Sequence, residues 1–534
     1  MRNFIVFVIL YLFSFSLIYA QDVFYPEQHE LVLLKNQWLN SNNASGLSIT
    51  EIPVHGNTEL GYHNSGGDYH RAQEGNRLNG LRFISERYDK MSKNWLVWGS
   101  FEFEMNRESD RCWSNVFNTY NTSPYNFGDS IKGNYDTQSF NLHAKFSRKI
   151  GTRWAIGTGI DYYAGDMSRL RDARTRSLIA NYAALPSASF RLSSHHIVGL
   201  TTGIRFEKEI MPSITTVQTD PIINYYFFLG NENASAVIDG YKGFDRQFIN
   251  LIYSVGLQHS YSSEHVDLFS NIEFVSKKQQ IFGSEHESPG SYAEKKYSIK
   301  SVASIKSDNR LLNVSLKGVL NKGTADEFLQ QSIEERDTTT GSVWKRWETL
   351  YVYKDRYTTD SYSADLSISL RDLLNKGKDY SWVAAVDAHY TGFSNKYYLT
   401  FSVFESQRLH VGASYGIRVF NQNGHRVNVN AKAGFGFGLN SNLQLNPIAT
   451  AIPNNGSSMF EKATHKIATE ILIPDLEYYN QHVYDYRIDA QYSFPLKMKN
   501  TKLSGFAKAF YSNQISASRG SWMCLGVSIG IIPL

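Results

Sequence analysis

The sequence predicts an all-β fold: a single large antiparallel transmembrane β-barrel of about 18 strands (16–20), preceded by a short N-terminal periplasmic helix and linker. Three observations carry this. Long segments alternate apolar and polar residues with period two, short polar turns alternate with long connectors, and the chain ends on an alternating aliphatic strand.

Taken in order, the chain opens with Arg2, an apolar run from Phe4 to Ile18, and Ile18-Tyr19-Ala20. This has the form of a secretory signal over residues 1–20 cleaved after Ala20, the alternative being an N-terminal membrane anchor. No Cys follows that site, so lipidation is not expected. Residues 21–45 are expected to form a periplasmic N-terminal segment, with 24–45 a short amphipathic helix and linker, and the barrel to occupy 46–534. After Gln21 no apolar run reaches the ~18 residues of a spanning helix. The composition has 34 Tyr, 32 Phe and only 12 Pro, which favours strands. Two Cys, Cys112 and Cys524, make no disulfide framework, and a net charge of +4 is too mild to imply nucleic acid.

The strands are read from alternation. In HRVNVNAKAGFGFGLN, Val427, Val429, Ala431, Ala433, Phe435, Phe437 and Leu439 face one way, and polar residues or glycines the other. DSYSADLSISL, DYRIDAQYSF, WLVWGSFEFEM and SFNLHAKFS repeat the pattern, at a length a tilted strand needs to cross a bilayer. Short turns fall at 90–94, 148–153, 192–196, 261–265, 306–310, 373–379, 421–425 and 497–501. These eight join sixteen strands, and a first strand near 57–68 and the terminal one make eighteen. Residues 395–416 read as one bent strand or two. Long external loops are expected at 107–135, 211–247, 326–357 and 441–480, with a short helix over 326–336. The aliphatic residues of 441–480 need cover, either in the barrel mouth or on a partner.

The terminal strand sets Met523, Leu525, Val527, Ile529 and Ile531 against Cys524, Gly526, Ser528 and Gly530. Closure of a barrel pairs this strand with the first and leaves no edge. With Gly526 followed by Ile529 and Ile531, signal, barrel and last strand together resemble the outer-membrane β-barrel proteins of Bacteroidota, although the chain ends on Pro533-Leu534 where an aromatic would be usual. The resemblance implies the cell outer membrane as location, outer-membrane lipid as surroundings, and the barrel-assembly machinery as a partner through the C-terminal strand. About 25–35 residues precede the first strand, too few for the plug domain of a TonB-dependent transporter with its roughly 22 strands, and that family is not expected.

Aromatic residues near strand ends are read as an interfacial girdle: Trp95, Trp98, Trp154, Tyr162, Tyr163, Tyr225, Tyr226, Tyr397, Tyr398 and Trp522. The polar faces offer lumen-facing candidates in Glu102, Glu104, Lys145, Asp161, Asp267, Glu273, Lys317, Asp365, Asp387, Arg426, Lys432, Arg487 and Asp489. Both charge signs occur, so no one-sign funnel is expected, and a bore of ~18 strands is too wide for side chains alone to fill. No HExxH, GxSxG, phosphate-binding loop or paired CxxC is present, so neither catalysis nor a cofactor or metal is expected. Passive transport or solute binding through a loop-restricted polar lumen is the expected function. The alternative is a non-conducting surface or assembly protein whose loops bind a partner, such as a surface protein or a transporter.

Overall fold

The computed structural model of the protein describes residues 23–533 apart from 50–51, 172–173, 215–223, 239–243, 284–286, 337–338 and 499–500; the expected signal segment 1–20 lies outside the described residues. Eighteen strands form one closed antiparallel sheet, beginning at His55–Gly67 and ending at Gly520–Pro533. Thr58 pairs with Ile531 and Gly67 with Trp522, which closes the barrel between its first and last strands. The strand count and the short turns agree with the sequence reading, for example Lys90 to Trp95 and Gln422 to His425, with residues 499–500 of the turn at 497–501 outside the described residues. Residues 395–416 are parts of two strands, Asp379–Tyr397 and Ser402–Gln422.

Period-two alternation becomes a two-faced wall. Tyr253, Val255 and Leu257 on one strand, Ile272 and Phe274 on the next, and Met523, Leu525, Val527, Ile529 and Ile531 on the last are all exposed on the outside. Their neighbours in sequence point into the bore.

The bore is occupied at both ends. At the short-turn end lies the N-terminal segment: helix Pro26–Lys35, then a 3-10 turn Ala44–Ser48. The expected helix is therefore present, but it and its following chain lie inside the barrel instead of forming a linker before it, and the wall begins at His55. At the other end the long connectors carry structure of their own. Asn126–Gly128, Asn224–Gly230 and Asn233–Ile238 make an inner three-stranded sheet. Residues 441–480 hold helices Pro447–Thr450, Met459–Ile467 and Ile473–Asn480, with a π turn Ala468–Leu472 between the last two.

Two readings are corrected. Residues 326–336 are strand, since Arg310–Arg336 and Val343–Leu374 run on past the rim as a paired ribbon; Ser332 opposite Trp347 and Leu329 opposite Tyr351 outweigh local helix propensity. The girdle is partial. Trp95, Trp154 and Tyr398 are exposed, and Tyr162 packs against exposed Tyr182. Trp98 instead turns inward to Glu86, Tyr163 meets Phe117, Trp522 meets His70, and Tyr225, Tyr226 and Tyr397 are buried inside the bore.

Candidate functional site: a chamber between floor and crown

The N-terminal segment makes a floor across the bore, and its own polar residues hold it there. Glu27 accepts hydrogen bonds from Asn428 and, at 2.7 Å, from Gln491 Nε2, with Arg426 Nη1 3.6 Å away. Glu30 accepts from Arg371 Nη2 at 2.6 Å and from Tyr380 Oη at 2.7 Å. His29 stands 2.9 Å from His55 Nε2 and 3.0 Å from Glu86. Lys35 donates to Gly377 O at 2.5 Å.

Beyond the helix the chain crosses to the opposite wall. Trp38 donates from Nε1 to Ser260 Oγ at 3.0 Å and meets Phe269 edge-on. Asn43 Nδ2 donates to Gln258 Oε1 at 2.8 Å, and the Ser48 and Ser147 hydroxyls are 2.6 Å apart. Wall glycines admit this approach: a Cβ on Gly157 would lie 2.6 Å from Ser45 N, and one on Gly199 2.6 Å from Asn43 Nδ2. The floor's apolar share is a small cluster of Leu39, Leu47 and Tyr88 with Val32, Leu33, Ile52, Leu96 and Trp98. Buried Val23, Leu31 and Trp38 add to it, and the polar contacts beside them are each worth about 0.5–1.5 kcal/mol net. Burial lifts the Glu27 carboxyl above its ordinary range, against the lowering pull of its backbone hydrogen bond, Arg418 and Arg426.

The crown at the far end is held differently, by two apolar layers. One face of the inner sheet (Phe127, Tyr225, Phe227) packs on inward wall residues such as Met211, Phe248, Ile281 and Tyr292. The other face (Tyr226, Phe228, Ala234) packs with Trp113 on Ala463, Ile467 and Ile471 of the helical connector. Ile467 and Ile471 of 441–480 find their cover here, whereas Ile452, Met459 and Ile473 stay exposed. A latch ties this connector to the loop 68–76 that follows the first strand. Arg71 Nη2 meets Asp475 Oδ2 at 2.7 Å, Ala72 N donates to Asp475 Oδ1 at 2.9 Å, and the Arg71 guanidinium lies 3.4 Å over the Tyr120 ring. Tyr69 stacks on Tyr478 and accepts from Arg408 Nη2 at 2.9 Å. Cys112 is buried in this layer, which pushes its thiol up to about 11.

Over the floor the bore holds a cavity of about 1030 Å³, lined by Glu27 and Glu30 of the floor and by Glu59, Arg82, Arg487, Lys508 and Cys524 of the wall, among others. The thirteen sequence candidates sit on the inward wall face and divide by what they touch. Lys145, Glu273 and Arg426 engage the floor: Lys145 Nζ donates to Leu39 O and Ser41 O at 3.0 and 2.8 Å, Asn42 Nδ2 donates to Glu273 at 3.2 Å, and Arg426 lies by Glu27. The others are paired along the wall. Glu102 and Glu104 share Arg82; Asp161 meets His143 at 2.8 Å and Arg205 at 2.9 Å; Asp267 meets Lys306. Lys317 lies 4.0 Å from Asp365, Lys432 3.0 Å from Asp387 and Arg487 2.7 Å from Asp489. They form a distributed lining of matched charge instead of one cluster. Sequence reasoning missed Glu59, Arg82 and Lys508, although each has the inward parity of its strand. It also missed the whole floor set, whose partners lie from 26 residues away, for His29 and His55, to 464, for Glu27 and Gln491. Among the described residues, no group of three or more His, Cys, Asp or Glu is placed to hold a metal ion.

A family model described as "Family of unknown function (DUF6850)" matches residues 44–532. Among curated proteins none matches. Solved structures that the chain is similar to include the outer membrane transporter YddB from Escherichia coli (8% identity, 89% of this chain and 80% of that chain covered, TM-score 0.36). Others are the ferric yersiniabactin uptake receptor FyuA from Yersinia pestis (7%, 91% and 81%, 0.37) and a Pseudomonas aeruginosa FadL homologue (8%, 92% and 92%, 0.29). Likeness this slight carries no inference about what the present barrel does.

Proposed function

From the premise that this chain belongs to the family of unknown function DUF6850, which lends it no activity, we propose an outer-membrane barrel that admits polar solutes to a chamber closed at rest. The observations that carry this are the cavity of about 1030 Å³ over the floor and the separate apolar crown packed into the other end of the bore. A barrel serving only as an anchor needs neither a charge-lined void nor two differently built stoppers. The exposed apolar residues around the wall meet lipid, the short-turn end with the floor faces the periplasm, and the crown faces outward. Lining charges of both signs suit polar or zwitterionic solutes, because a purely anionic or cationic one would meet its own sign at every level of the wall.

The two closures divide the work. The floor is bound by many exchangeable hydrogen bonds and ion pairs beside a few buried apolar side chains such as Leu31, Trp38 and Leu47, so water and wall groups can replace much of its contact as it moves. The crown is bound by aromatic and aliphatic layers that lose far more on exposure. Release of the floor therefore opens the chamber to the periplasm, and a looser latch opens it outward. No catalytic step is proposed. Reconstitution into lipid vesicles tests this reading with a membrane-impermeant thiol reagent, since Cys524 lines the chamber and Cys112 lies in the crown. Slow labelling of both cysteines, with no steady ion leak, is expected. A constant leak from the folded wild-type chain overturns the closed chamber.

A further inference from the structure

The ribbon that leaves the rim has two unpaired edges. On one side, wall pairing of Arg310–Arg336 with its neighbour ends at Gly290 opposite Glu327; on the other, Val343–Leu374 pairs its outer neighbour only from Tyr357 opposite Tyr397. Beyond these points, among the described residues, strands 329–336 and 343–355 pair only with each other. A two-stranded ribbon is marginal alone in water, and long free edges are usually blunted. This one is exposed and of mixed character: Leu329, Trp344, Leu350 and Tyr351 all lie open on it, beside charges that face one another in acid–base pairs near its tip.

We infer that this ribbon is an interface between copies of the chain, in which strand 329–336 of one copy pairs antiparallel with strand 343–355 of a second. The inference rests on the membrane reading above, because a membrane holds all copies upright at one height. Strand 329–336 runs away from the wall and strand 343–355 runs back, so upright neighbours meet antiparallel when unlike edges face each other and parallel when like edges do. The tip charges make the same choice. Glu334 lies opposite Lys345 within the ribbon, and Glu335 is 2.8 Å from Arg346. Acidic and basic pairs therefore stand at one height on opposite edges. Unlike edges continue the alternation of acid and base from copy to copy, whereas like edges set Glu334 and Glu335 against themselves. Such contact is head-to-tail and closes into a ring with the ribbons at its centre, because a straight row would set whole barrels only one ribbon width, about 10 Å, apart.

Cross-linking in vesicles tests it. Gln331→Cys marks one edge and Glu348→Cys the other, each in a separate population; the chain without either sets the background, since Cys112 and Cys524 lie inside the barrel. A short bis-maleimide is expected to join the two populations and neither one to itself. A charge-swapped chain (E334K, E335K, K345E, R346E) keeps opposite charges within its own ribbon. Swapped chains of both edges are expected to cross-link with each other, and a swapped edge with a wild-type edge at least tenfold less. Cross-links that ignore the swap, that join like edges, or that are absent between folded barrels overturn the inference. Heat-modifiable mobility in the same samples reports insertion, so failure of the membrane reading is seen separately.

Discussion

Trp38→Ala is the sharpest perturbation of the floor. The indole is buried, donates to Ser260 Oγ at 3.0 Å, meets Phe269 edge-on, and fills the space a Cβ on Gly199 would need. Truncating a buried tryptophan costs about 3–5 kcal/mol. If the whole cost falls on docking, the ratio of released to docked floor rises by about two to three and a half decades, at about 1.4 kcal/mol per decade. The barrel wall should survive, since none of its strand pairing uses Trp38. Labelling of the native cysteines gives the readout: Cys524, on the chamber wall, should react at least about a hundredfold faster, and Cys112, under the crown, at its former rate. Protease cleavage within residues 26–49 would report release independently. A floor that becomes cleavable while Cys524 labelling stays unchanged would refute the claim that this segment closes the chamber.

The other predictions act on separate contacts. Because burial raises the Glu27 carboxyl, the docked floor holds its proton more tightly than the released floor does; the resulting stabilisation is full below the ordinary value of 4.5 and lost as pH rises through the docked value. Hydrogen-exchange protection of the helix Pro26–Lys35 should fall over that interval in the wild type, and Glu27→Gln should remove this part of the pH dependence. Asp475→Asn breaks the buried pair with Arg71 at a cost of about 3–5 kcal/mol, so Cys112 should label about a hundredfold faster while the floor stays protease-resistant. Val255→Arg, in the exposed row Tyr253, Val255 and Leu257, should cost about 2–4 kcal/mol of folding free energy in bilayers. A loss within about 0.5 kcal/mol would mean that this face meets water.

The wall was legible because one physical rule governs it from end to end: a strand with one dry face and one wet face must alternate, and a tight turn must be polar. The inner sheet was not legible for the opposite reason. NYYFFLG, Asn224–Gly230, is covered on both faces, by the wall and by the helical connector, so it shows no alternation and its tyrosines looked like membrane-interface residues. The floor helix was visible, but Glu27, His29 and Glu30 look like a solvated face until the wall supplies Gln491, Glu86 and Arg371. A helix over 326–336 followed from local propensity alone; the aromatic-rich partner VWKRWETLYVY at 343–353 held the better signal. The glycines of GFGFG had a use that only the fold reveals. A Cβ on Gly438 would lie 2.7 Å from Tyr479 O, so this stretch is where the crown helix rests against the wall.

Ion conductance across a planar bilayer tests the central claim, a chamber closed independently at both ends, most directly. The refolded wild-type chain should be silent, Trp38→Ala and Asp475→Asn singly should be nearly so, and the double variant should conduct in discrete steps. Steady conductance from the wild type would make the barrel an open pore. Silence from the double variant, with both Cys112 and Cys524 fully reactive, would make it a non-conducting anchor.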